Sequence, residues 1–133
     1  MKLYLCRHGE TELNKQRILQ GQGVDASLNE KGKEQAALLC KELEGVDYLA
    51  VTGLKRTRES AEGLGLHMHV YKELNEIHWG IYENLQSPDL SDILEQWNLG
   101  NFDYGPEGGE SPNQVKDRSI NGLFKILEDA KGF

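Results

Sequence analysis

The sequence predicts an α/β layer fold with a mostly parallel sheet. Short apolar runs of strand length alternate along the chain with stretches of helical periodicity. The first two of these runs lead into Gly-containing loops. The chain has 133 residues, enough for one domain and short for two.

The elements are expected in the order strand, helix, strand, helix, strand, helix, helix. Leu3-Tyr4-Leu5-Cys6 is an apolar run that stops at Arg7-His8-Gly9 and reads as a buried strand ending in a loop. The stretch 10–28 is polar and irregular, with Gly21 and Gly23 as breakers. Asn29 can cap a helix whose Ala36, Leu39, Cys40 and Leu43 share a face, and Gly45 ends it. Tyr48 to Val51 reads as a second strand, and Thr52-Gly53 turns into a helix through Leu54, Thr57, Ala61 and Leu64. His67 to Leu74 alternates as a third strand would. Ser87-Pro88 reads as a helix start ahead of the stripe Leu90, Ile93, Leu94 and Trp97. The stretch 100–109 carries four Gly and one Pro and reads as a loop. Ser111 and Gln114 have capping-box spacing and open a helix through Val115, Ser119, Leu123, Ile126 and Ala130.

Composition narrows the partners. A net charge of −7 argues against nucleic acid and against an anionic membrane, both of which reward a basic surface. It leaves room for a small phosphorylated ligand, because the charge that matters is the charge in the cleft. No apolar run approaches the ~18 residues of a membrane span, and Met1-Lys2 leads directly into the first strand pattern, so the expected location is cytoplasmic. Cys6 and Cys40, the two cysteines, read as small buried hydrophobes and not as a disulfide.

Ligands of an open parallel sheet bind beyond the carboxyl ends of its strands. Arg7-His8-Gly9 is predicted at such an end. Arg can hold phosphate bidentately, a neutral His can attack phosphorus, and Gly9 lets backbone approach a ligand. The plainer alternative is a strand-end His that only packs or hydrogen-bonds. Arg56 follows the second strand and could clamp the same phosphate, or could belong to a solvated helix face with Lys55 and Arg58. A carboxyl group could supply the proton that a leaving oxygen needs, and Glu73, Glu76 and Glu83 are all placed for it. His67 and His69 share a strand face, yet no Cys, Asp or Glu at matching spacing completes a metal site. Trp79, Trp97 and Tyr71 read as core or pocket-wall aromatics.

Several stretches taken together resemble one family. Leu5-Cys6-Arg7-His8-Gly9-Glu10-Thr11-Glu12-Leu13-Asn14, Arg17-Ile18-Leu19-Gln20-Gly21 and Ser27 through Ala36 are similar to the opening of the histidine phosphatase superfamily. This phosphoglycerate-mutase-like group includes fructose-2,6-bisphosphatases and α-ribazole phosphatases. Thr52 through Ala61, Leu74 through Glu83 and Gly108-Gly109-Glu110-Ser111 continue the likeness in the family's order. The resemblance implies a three-layer α/β/α fold and a phosphomonoesterase. It implies His8 as nucleophile, Arg7 and Arg56 as phosphate clamps, and Glu76 as proton donor and acceptor. By the same resemblance Asn14, Gln20 and Gly21 line the phosphate pocket, and Glu110 and Ser111 lie near its mouth. The implied partner is a small phosphorylated metabolite, with no metal and no organic cofactor.

Two departures bear on these expectations. Thr52 stands where the family usually has Ser and keeps the hydroxyl. The second His-Gly that the family carries late in the chain is missing here. The expectation is therefore a single domain over 1–133 that is C-terminally incomplete, about the first two-thirds of a typical member. Its strand Leu3–Cys6 would then have an open edge. A phosphatase is favoured over a phosphoglycerate mutase-type phosphotransferase by the short stretch between Glu76 and Gly108. A phosphate-binding module without turnover is the other reading.

Overall fold

The computed structural model describes residues 1–133. Two short strands, β1 (Leu49–Val51) and β2 (Met68–Val70), lie side by side in parallel, with Ala50 opposite His69. The connection between them is helical, as a parallel pair requires. It consists of α3 (Lys55–Ala61) and one 3₁₀ turn through Leu64, closed by Gly65 at φ 64°. Ahead of the pair come α1 (Glu12–Lys15) and α2 (Glu30–Glu42), and after it α4 (Ser91–Asn98) and α5 (Pro112–Asp129).

The predicted helix caps form as the sequence proposes. The Asn29 side chain accepts the Gly32 amide at 2.8 Å, and Ser111 with Gln114 completes a capping box at the head of α5. The core is small: Val51 of β1, Leu54, Tyr71, Ala36 of α2, Ile93 of α4, and Ile126 and Ala130 at the end of α5.

Three expectations change. Residues 3–6 form no ladder. No main-chain hydrogen bond holds residues 1–9 to another segment, and Leu3 and Leu5 are exposed. β-propensity is a matter of fit to neighbouring strands, and here no strand lies alongside. Cys6 is consequently exposed, while Cys40 is half-buried and its thiol faces the Ser60 carbonyl; both are free. The third strand is shorter than the alternation suggests, because Lys72–Leu74 tightens into a 3₁₀ turn.

The third change concerns two helices. Ser87 adopts φ 44°, so Pro88 does not open α4. The helix begins at Ser91, whose amide is held by the Asp89 carboxylate at 3.0 Å. On α5 the buried stripe runs through Gly122, Ile126 and Ala130, and Leu123 faces outward. Gly122 belongs to the stripe because a Cβ there would stand 2.9 Å from Glu73 Cβ, so a bare backbone lets the 72–74 turn lie against α5.

Ile93 is 2% exposed and carries α4 onto the body of the protein. Replacing Ile93 by Ala is expected to cost about 2–5 kcal/mol in urea unfolding. A loss below about 1 kcal/mol would mean that α4 is not packed as described.

Candidate phosphate-binding site

The His8 ring is half-buried and its Nδ1 lies 2.6 Å from the Gly9 carbonyl oxygen. A carbonyl can only accept, so Nδ1 carries the hydrogen and Nε2 keeps its lone pair free. Gly9 is itself held by its amide donating to Ser60 Oγ at 2.9 Å, and Ser60 Oγ donates to the Arg56 carbonyl at 2.6 Å. The first loop is thereby tied to α3 through one serine. Gly9 also has to be glycine, since a Cβ would stand 2.5 Å from the Gly32 carbonyl oxygen at the head of α2.

Burial lowers the pKa of His8 below the usual 6.5, and the charges of Arg56 and Arg7 push the same way. The Gly9 hydrogen bond and the Glu76 carboxylate oppose them without reversing the shift. The ring is therefore mostly neutral at pH 7.

Arg56 is fully buried. Its guanidinium donates to the Val24 carbonyl at 2.5 Å, to the Gly21 carbonyl at 3.1 Å and to Glu76 Oε2 at 2.9 Å, and its Nε has no partner. The alternative of a solvated helix face thus fails for Arg56. Lys55 does stand at the surface; its amide, the first of α3, is held by Asp25 at 2.7 Å. Of the three glutamates, only Glu76 meets Arg56, and its side chain is 43% exposed, open to proton exchange with water. Glu73 pairs instead with Lys125. Glu83 is buried against the 21–23 loop, accepting the Trp79 amide at 3.0 Å with His78 Nδ1 3.5 Å away.

The remaining predicted residues divide. Gln20 is 4% exposed, and both polar atoms of its amide lack a partner. Gly21 has Glu83 so close that any Cβ would collide with it. Asn14 completes the capping box that opens α1, its Oδ1 accepting from the Thr11 amide at 3.0 Å and the Thr11 hydroxyl at 3.1 Å. Arg7 is exposed and lines, with His8, Gly9, Gln35, Ala36 and Leu39, a cavity of about 270 Å³ that opens toward α2. Arg56 and Glu76 are outside that lining.

Glu110 and Ser111 are both engaged by the protein itself. The Glu110 carboxylate takes two bonds from Arg118, at 2.7 and 2.9 Å, and one from the His78 amide. Arg118 holds its carboxyl below the ordinary range. The Ser111 hydroxyl is spent on its helix cap. His67 and His69 lie with ring centroids 4.6 Å apart, and His69 stacks on Tyr48. No group of three or more His, Cys, Asp or Glu converges that could hold a metal ion.

Residues that the sequence reading passed over complete the frame. Asn75 accepts the Gly53 amide at 2.8 Å, joining the loop before Arg56 to the one that carries Glu76. Ser60, Asp25 and Arg118 are the others. Arg118 had one sequence signal, a charged residue on the inner face of an amphipathic helix between Val115 and Gly122.

A neutral imidazole on the 7–9 loop, a buried guanidinium on α3 and the Glu76 carboxylate after β2 together make the candidate site for an anionic, phosphate-like ligand. The chain belongs to the histidine phosphatase superfamily, branch 1, whose family model matches residues 3–132. It is 33% identical to the probable phosphoglycerate mutase GpmB of Cronobacter sakazakii, over 96% of this chain and 64% of that protein. It is 34% identical to the fructose-2,6-bisphosphatase TIGAR B of Danio rerio, over 98% of this chain and 56% of that one. Among solved structures, a mycobacterial glucosyl-3-phosphoglycerate phosphatase complexed with VO3 superposes with a TM-score of 0.79 at 26% identity, over 93% of this chain and 66% of its own. The chain thus spans less than two-thirds of the length of these relatives.

Two measurements follow from this geometry. NMR titration of the His8 ring is expected to give a midpoint below 6.5. Between that midpoint and 6.5 the unfolded chain binds more protons, so the stability contribution of His8 is present above 6.5 and is lost as pH falls through the window. A midpoint above 6.5 would contradict the burial and charge balance described. Ser111→Ala is expected to cost about 1 kcal/mol in denaturant unfolding, as loss of a helix cap does. An unchanged stability would return the hydroxyl to a ligand role.

Proposed function

We propose that the protein is a phosphomonoesterase that passes a phosphoryl group from a small ester to His8 and then to water. The observation that carries this reading is the Nδ1 contact to the Gly9 carbonyl, which leaves Nε2 as a neutral, oriented nucleophile. In the first step Nε2 attacks phosphorus and the bond to the ester oxygen breaks. Glu76 gives that oxygen the proton it took from water in the second step of the preceding turnover. In the second step water attacks the phospho-histidine, the N–P bond breaks, and the carboxylate of Glu76 takes the water proton. Inorganic phosphate leaves.

Arg7 and Arg56 serve as the clamps that spread the charge of the transferred group. Arg7 reaches the ligand from the surface as an exposed side chain, and Arg56 is pre-set by its carbonyl partners. Asn14, Gln20 and Gly21 line the phosphate pocket. The unpartnered, buried Gln20 amide supports this, because a bound ester would supply the hydrogen bonds it lacks. The chemistry needs no metal and no organic cofactor.

The likeness to a protein named as a mutase favours one competing reading, return of the phosphoryl group to a second hydroxyl of the same substrate. Turnover of p-nitrophenyl phosphate with release of inorganic phosphate is expected, and acid-labile label from the substrate is expected on His8. His8→Ala should lower kcat at least 10³-fold, as loss of a nucleophile does. Activity that survives this substitution would remove the nucleophile assignment. Isomerisation of a phosphoglycerate without phosphate release would decide for the mutase, and binding of phosphate with no turnover for a non-catalytic module.

A further inference from the structure

Glu76 is the exposed residue of a half-buried stretch that belongs to no helix or strand, between the 3₁₀ turn ending at Leu74 and the next turn starting at Gly80. Its side chain is tied only to Arg56. Something else must hold the backbone beneath it, and Arg118 of α5 does so from behind.

Arg118 uses its whole guanidinium. Nη1 donates to the carbonyls of Glu73 at 2.8 Å and Asn75 at 2.6 Å, and Nη2 donates to the carbonyl of Glu76 itself at 3.1 Å. Nε and Nη2 are then gripped by the two oxygens of Glu110, in the side-by-side geometry that arginine and carboxylate share. These five contacts match the five N–H donors of the group. Glu110 is anchored in turn: Oε1 accepts the His78 amide at 2.9 Å, and the Glu110 amide donates to the His78 carbonyl at 2.9 Å. Residues 73, 75, 76 and 78 are therefore all pinned to one ion pair, one helical turn from Gly122, where α5 is bare enough for the 72–74 turn to rest on it.

We propose that Arg118, oriented by Glu110, is a positioning residue that sets the Glu76 carboxyl for proton transfer. This rests on the role given to Glu76 above. Lysine cannot substitute, because an ammonium is a point donor and does not span three carbonyls and a carboxylate. Proton transfer tolerates little displacement, and a misplacement of about 1 Å costs on the order of 10²-fold in rate.

The test is a double-mutant cycle. Parent, Arg118→Ala, Arg118→Lys, Glu76→Gln and Glu76→Gln/Arg118→Ala are compared with p-nitrophenyl phosphate, and Glu110→Gln serves as a milder probe should Arg118→Ala unfold. Arg118→Ala and Arg118→Lys are expected to lower kcat by roughly 10- to 100-fold with KM within about threefold. In the Glu76→Gln background Arg118→Ala should add little, since the group it positions is already disabled. Hydrogen exchange at the amides of residues 75–78 should accelerate in both Arg118 variants.

Equal losses from Arg118→Ala in both backgrounds would overturn the proposal, showing that it acts through general stability. So would unchanged exchange at 75–78. A fully active Glu76→Gln variant would instead remove the proton-transfer role of Glu76, and the catalytic purpose of the clamp with it. The faster exchange would still mark Arg118 as the loop's support.

Discussion

The Arg56 guanidinium has no contact with solvent, and a charge taken out of water must be met by partners or it costs more than a small core can return. Its partners come from two separate stretches of chain: the carbonyls of Gly21 and Val24, and the carboxylate of Glu76. None of these belongs to a helix or a strand. The irregular 16–29 segment and the segment after β2 are therefore shaped by the need to satisfy one cation. The same α3 that delivers Arg56 also delivers Ser60, whose hydroxyl reaches the Gly9 amide. A seven-residue helix thus orders three loops.

Electrostatics and burial work in the same direction around His8. The two arginines and the loss of solvent all disfavour a second proton on the ring, and the Gly9 carbonyl fixes where the first one sits. Glu76 opposes the shift while neutralising part of Arg56. An imidazole kept neutral beside positive charge suits an incoming anion. The acidic balance of the whole chain does not conflict with this, because the charge that a ligand meets is the local one, and two arginines act on the ring.

Tightness at the site comes from backbone as much as from side chains. A Cβ on Gly9 would meet the Gly32 carbonyl, and one on Gly21 would meet the Glu83 carboxylate and the Ile77 carbonyl. These close approaches let the loops stack without space for alternatives. In relatives that share the fold, named as phosphatases and as a mutase, the matched region extends over more than half of each protein.

From α2 onward the order of helices and strands, the caps at Asn29 and Ser111, and the presence of His8, Arg56 and Glu76 as a set were legible in the residues, because each rests on local periodicity, local hydrogen bonding or a motif. Contacts decided the rest. Leu3–Cys6 has the composition of a strand and is none, since pairing needs a neighbour that composition cannot supply. Glu73, Glu76 and Glu83 are equivalent by position; the family resemblance picks out Glu76, and in space it is the one that meets Arg56. Arg118 lies 42 residues from Glu76 along the chain and touches its carbonyl. Sequence alone determined which chemical groups this protein carries and the short-range geometry around them. Only the tertiary structure determined which groups face one another, because a long-range contact depends on the packing of the whole chain.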